Sequence, residues 1–202
     1  MKIQSWLATV LLVALVGGSA LADDPKAAPK MSAEEKAAMD AMMAAATPGA
    51  AHKALQPFAG KFDATVTMWP APGAPPSESK GASDSKWVLG GRWLEQTYTG
   101  SFMGMPFNGI GYTGYDNVSK QYVGTWMDSF STGPMTSTGS VDAGGKTWSF
   151  TSTWNDPVTG KATPGTQKVT VADNDHHTME FWGPAPDGTS YKMMEIRYTR
   201  KN

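Results

Sequence analysis

The 202-residue sequence predicts an all-β protein, an up-and-down antiparallel β-barrel of about ten strands with a short N-terminal helix in front of it. Three observations predict it. Beyond Gly60, short runs alternate apolar with polar residues, the period of a half-buried strand, and no helical period of useful length appears. Turn residues cut these runs at intervals of about ten residues, so consecutive strands are joined by hairpin-length links. A meander of that many strands has two bare edges unless the sheet curls and closes on itself. A β-sandwich is the alternative arrangement of the same strands.

In chain order, Met1 to Ala22 comes first: Lys2, an apolar run from Leu7 to Val16, then Gly17, Gly18, Ser19 and Ala20-Leu21-Ala22 before Asp23. This is the pattern of a secretory signal, so cleavage after Ala22 and a periplasmic or secreted bacterial protein are expected. The apolar stretch is shorter than the ~20 residues a spanning helix needs, and no cysteine is present to carry a lipid. No transmembrane span is expected after cleavage.

Residues 23 to 51 form the second segment. The Asp, Pro, Lys and Ala of 23–31 bury little and read as a flexible tether. Ser32 and Glu35 have capping-box spacing, and the Ala- and Met-rich run to Ala46 reads as a helix stopped by Pro48 and Gly49. Met39, Met42, Met43 and Ala46 can share one face of it.

The barrel domain is expected over 52–202. His52, Leu55 and Phe58 sit at helical spacing, and Gly60 hands the chain to the first strand. Strands are predicted at 61–69, 83–89, 92–102, 106–115, 121–128, 133–141, 146–154, 166–173, 176–182 and 189–199. Gly90-Gly91, Asp116-Asn117, Gly144-Gly145, Asp156 to Gly160, Asp173-Asn174 and Asp187-Gly188 supply the turn chemistry. Gly109, Gly111, Gly114 and Gly124 fall inside strands, where bends or bulges at barrel corners are expected.

Composition excludes several function classes. Without residues 1–22 the chain holds 16 basic and 18 acidic residues, a balance unsuited to phosphate backbones or anionic membranes, so no nucleic-acid partner is expected. The absence of cysteine removes disulfides, thiol nucleophiles and thiolate metal sites. Seven tryptophans after the signal supply large apolar areas. No phosphate-binding glycine loop, HExxH or nucleophile motif is present.

The motifs Gly90-Gly91-Arg92-Trp93-Leu94-Glu95, Gly109-Ile110-Gly111-Tyr112, Gly114-Tyr115-Asp116-Asn117, Trp126-Met127-Asp128-Ser129 and Asp156-Pro157-Val158-Thr159-Gly160-Lys161 stand in this order. Over about His52 to Arg200 the chain resembles a bacterial family catalogued as domain of unknown function 1579. The resemblance implies a calycin-like barrel, related in architecture to lipocalins and fatty-acid-binding proteins, and implies no reaction, ligand or catalytic residue.

The candidate site residues come from the strand patterns. Arg92 alternates with Leu94, Gln96 and Tyr98, and Asp128 with Trp126, Gly124 and Tyr122. Facing inward, these two would be interior charges that must pair with each other or with a polar ligand; the other reading sets both at strand ends, hydrogen-bonded to turn backbone. On the last strand Tyr191, Met193, Glu195 and Arg197 share one face, and Lys192, Met194, Ile196 and Tyr198 the other. Asp173-Asn174-Asp175-His176-His177 reads as a turn rather than a metal site, because adjacent histidines on a strand point to opposite faces. No haem ligation motif surrounds His52, His176 or His177, so no cofactor is expected. Met103-Gly104-Met105-Pro106-Phe107 is apolar where a hairpin tip is normally polar.

Three functions compete. The first is a binding module for a small apolar or amphipathic ligand, with Trp126, Tyr98 and Met193 as walls and Arg92, Asp128 and Glu195 as polar contacts. The second is an envelope-associated interaction protein using the helix and the Met103–Phe107 tip. The third is an enzyme in which Arg92, Asp128 and Glu195 form an interior acid–base cluster.

Overall fold

The structure, a computed structural model, describes residues 31–201. The export signal read at 1–22 and the tether up to residue 30 lie outside the described residues. Helix α1 (Ala33–Ala46) starts with the predicted capping box: Ser32 Oγ accepts from the Glu35 N–H at 3.2 Å, and Glu35 Oε2 accepts from the Ser32 N–H at 2.7 Å. No residue of α1 is buried. Just past it, the Asn117 side chain donates to the carbonyls of Ala45 (3.1 Å) and Thr47 (2.8 Å), tying the helix end to a barrel turn. Helix α2 (Ala50–Lys53) and a 3-10 turn (Gln56–Phe58) follow and carry His52, Leu55 and Phe58.

Ten antiparallel strands then form a closed barrel: β1 (Gly60–Met68), β2 (Ser77–Val88), β3 (Trp93–Phe102), β4 (Met105–Asp116), β5 (Gln121–Asp128), β6 (Met135–Val141), β7 (Thr147–Asn155), β8 (Ala162–Val171), β9 (His176–Pro184) and β10 (Ser190–Arg200). Each strand pairs with its sequence neighbours, and β1 closes on β10 from Phe62↔Arg200 to Met68↔Met194. Closure leaves neither edge bare, which is why the meander curls.

Two strands start earlier than their alternation predicts. In β2, Ser77 to Lys80 pair with Met68 to Thr65, but their side chains are polar on both faces and give no period. In β8, Pro164 and Gly165 read as breakers, yet they pair with Thr153 and Ser152. The glycines of β4 also have another purpose than bending. The β4–β5 register runs unbroken from Gly109↔Asp128 to Asp116↔Gln121, while a Cβ on Gly109 or Gly111 would run into the Trp126 indole. The bareness of these two residues makes a bed for a tryptophan.

The alternation resolves the interior face. Phe62, Ala64, Val66, Tyr98, Ile196 and Tyr198 form one buried cluster inside β1, β3 and β10. Leu55, Tyr122, Trp148 and Val171 form a second. This second cluster lies at the end where β1 begins, so the segment before the barrel folds back as its floor. Leu55 and Trp148 are each 1% exposed there. The floor is clamped at several points: Arg200 Nη1 and Nη2 donate to the carbonyls of Ala59 (2.7 Å) and Pro57 (3.0 Å), Tyr122 Oη to that of Ala51 (3.0 Å), and Trp87 Nε1 to Gln56 Oε1 (2.9 Å). Among the described residues no helix is long and apolar enough to cross a membrane.

Candidate functional site

A ten-strand barrel is too wide for its inward side chains to meet across the axis everywhere, and the space left over is a cavity of about 1100 Å³. Leu55 and Phe58 bound it at the floor, and Phe102 at the end of β3, with Phe130 and Pro157 in the links after β5 and β7, bound it at the opposite, open end. Its walls are more apolar than polar and include the aromatic and methionine side chains Trp126, Phe150, Trp154, Met179, Phe181 and Met194.

Trp126 lies flat on Gly109 and Gly111, and its Nε1–H donates to Asp128 Oδ2 at 3.1 Å. Asp128 is the last residue of β5, and its Oδ1 accepts from the Phe130 N–H at 2.9 Å. The carboxylate is thereby fixed at the open end. Phe130 is stacked on Phe107 (centroids 5.7 Å apart) and set edge-on to Phe102 (5.1 Å), so three phenylalanines frame the mouth. The apolar hairpin tip is divided accordingly: Phe107 turns inward, while Met103 and Met105 stay exposed.

Polar groups inside the wall are uncharged or held neutral. Gln167 donates to Ser152 Oγ at 2.7 Å. Burial pushes the Tyr198 phenol up, the nearby Tyr98 adds to this, and a hydrogen bond with Gln96 opposes it. His177 lies deep in the barrel, stacked on Tyr198 at 4.5 Å and edge-on to Phe62 and Phe58. Burial, helped by the Arg200 guanidinium, lowers its pKa to about 4, so the imidazole is uncharged at neutral pH.

Of the six residues singled out from the sequence, Tyr98, Trp126, Asp128 and Met193 line this cavity. Arg92 and Glu195 do not. Arg92 precedes β3 at the floor end, is exposed, and donates from Nη1 to the Leu89 carbonyl at 3.0 Å, the turn-backbone arrangement weighed against an interior one. Glu195 faces outward, where Lys192 Nζ reaches its Oε2 at 2.6 Å and Glu180 Oε1 at 3.1 Å. A bulge between Lys192 and Met194 shifts the phase of β10, so Met193 and Met194 both line the cavity and Glu195 falls outside. Arg92, Asp128 and Glu195 therefore sit at the floor, the mouth and the outer wall, and form no acid–base cluster.

His177, Met179 and Phe181 also line the cavity and are not among the six candidates, although their spacing of two on β9 announces a shared inward face. Phe130 lies in a link whose sequence carries no such signal. Asp173, by contrast, behaves as the turn predicts: Oδ1 accepts from the N–H groups of Asp175 and His176 at 2.8 Å each. Among the described residues, no three His, Asp or Glu side chains gather as metal ligands.

The model of a family described as "Protein of unknown function (DUF1579)" matches residues 47–200. The chain is similar in fold to Rv2717c from M. tuberculosis, with a TM-score of 0.57 and 15% identity, over 77% of this chain and 100% of that one. A redesigned beta barrel, also 15% identical, covers 75% of this chain and 96% of its own at a TM-score of 0.37. No curated protein matches. At such identities the likeness to Rv2717c speaks for the barrel alone.

Proposed function

The chain belongs to the DUF1579 family of proteins of unknown function, and we propose from its own geometry that it binds a small, largely apolar molecule inside the barrel. One observation carries this reading: a cavity of about 1100 Å³, with a mostly apolar wall rich in aromatic and methionine side chains, opens at one end of an otherwise closed barrel. Apolar space of that size and a few placed polar groups are what a ligand pocket requires. Trp126 and Met193 would be walls, Tyr98 a polar contact and Asp128 the group at the entrance. Export belongs to the same proposal, on the strength of the signal pattern at 1–22.

Native mass spectrometry of protein recovered from the periplasm, compared before and after unfolding, tests both points. The expected result is a polypeptide beginning at Asp23 with an extra mass that disappears on denaturation, together with saturable uptake of an apolar fluorescent probe by the emptied protein. A bare polypeptide that also fails to take up the probe refutes the binding reading. A second reading, a surface that docks partners, is favoured by α1, which exposes Met39, Met42 and Met43.

A further inference from the structure

We propose that the cavity selects its ligand by charge, admitting amphipathic molecules whose polar end is a cation and rejecting anions of the same shape. This rests on the binding reading above and adds to it the chemistry of the ligand's head.

Among the described residues, none that lines the cavity is a lysine or an arginine. His177 supplies no cation either, because burial keeps it neutral. An anionic head drawn into this wall would lose its water and find no counter-charge, a penalty that apolar contact of the tail does not remove. The charges that do border the space are carboxylates at the rim, Asp128 and Asp156. Asp156 is held below the usual carboxylate range by the backbone N–H groups of Thr159 and Val158, so it is ionised at neutral pH. Neither takes part in any ion pair found among the described residues.

The rest of the open end reinforces the sign. Residues 69–76, 103–104 and 129–134 carry no charge, and the remaining two links add Asp187 and Lys161. Three carboxylates, counting Asp128, thus face one lysine around the mouth. Lys192, on nearby β10, is held on the outer wall by Glu180 and Glu195 and lies 5.0 Å above the Trp69 ring. A mouth with low-dielectric walls and one sign of charge focuses its field on what enters. An ammonium stopped there would pair with Asp128 while staying in contact with water, its tail running down past Trp126.

The test uses three probes with one twelve-carbon chain, dodecylamine, dodecanol and dodecanoate, titrated below their aggregation concentrations into the full exported chain. Binding is read by calorimetry and by tryptophan emission. The amine is expected to bind about tenfold or more tighter than the alcohol, the worth of one charge-assisted contact, and dodecanoate weakest. In Asp128→Asn the amine-to-alcohol ratio should collapse towards one, and in the unaltered protein added salt should narrow it, a readout that does not depend on the variant folding. Dodecanoate binding as tightly as the amine overturns the charge selection and leaves the binding reading standing. Failure of all three probes to bind overturns both.

Discussion

Replacing Gly109 with alanine puts the bed beneath Trp126 under direct strain. The new Cβ would stand 2.6 Å from Cη2 of the indole and closer still to Cζ2. Ordinary contact begins near 3.4 Å, so the ring must retreat by roughly 0.8 Å or more. With the β4 backbone behind it, the open direction is into the cavity. That movement stretches the 3.1 Å bond from Nε1 to Asp128 towards the limit of a hydrogen bond. Overpacking of this kind costs about 1–3 kcal/mol, and the partly exposed charge-assisted bond adds to the upper part of that range. An overall loss of about 2 kcal/mol lowers the melting temperature by roughly 4–8 °C for a protein of this size. The assay is a thermal melt paired with tryptophan emission and probe uptake, with Gly133→Ala as control. A Cβ at Gly133 meets only Asn155 Nδ2, at 4.0 Å, and should change stability by less than about 0.5 kcal/mol. If Gly109→Ala melts and emits like the unaltered protein, Trp126 is not held as described and its place in the cavity wall is wrong.

Two further perturbations address the floor and the deep imidazole. Leu55→Ala removes a side chain 1% exposed at the closed end, and should cost about 3 kcal/mol in a urea titration; a change below about 1 kcal/mol means the floor is not packed on the barrel. His177 has its pKa depressed from 6.5 to about 4, so the unfolded chain binds the extra proton and stability falls as pH drops through that window. The loss is complete near pH 4 and amounts to roughly 3 kcal/mol. His177→Phe, which keeps the aromatic stack, should flatten the stability profile between pH 6.5 and 4, and an unchanged profile would assign the acid sensitivity elsewhere.

Most of the barrel was legible because its turns are chemically explicit. Asp116, Asp156, Asp173 and Asp187, all visible turn residues, each accept backbone N–H groups from the residues that follow them, and Asp142, which the sequence reading did not single out, does the same beside the predicted Gly144-Gly145 turn. The candidate site was only half legible. A packed barrel keeps apolar residues in and polar residues out, but here Ser85, Gln96, Ser137 and Gln167 face a cavity, so polarity ceases to mark the outside. Arg92 could be drawn inward on alternation alone, because a strand pattern does not announce where the turn before it ends. Glu195 and Met193 shared a face until one bulge in β10 parted them, and bulges leave little trace in sequence.

Among the described residues the clamped floor leaves the cavity one open end, so for the ligand proposed above the barrel would be a vessel with a single doorway. A newcomer cannot enter from behind and push a resident forward, so exchange must proceed by departure first and arrival second. The rate at which one occupant replaces another is then set by escape and stays constant however concentrated the competitor becomes. Residence time would then be set at the doorway, by how readily Phe102, Phe107 and Phe130 part. Affinity, in contrast, would be distributed along the whole interior. Substitutions at the rim and in the walls should therefore tune how long and how tightly an occupant is held as two separate properties.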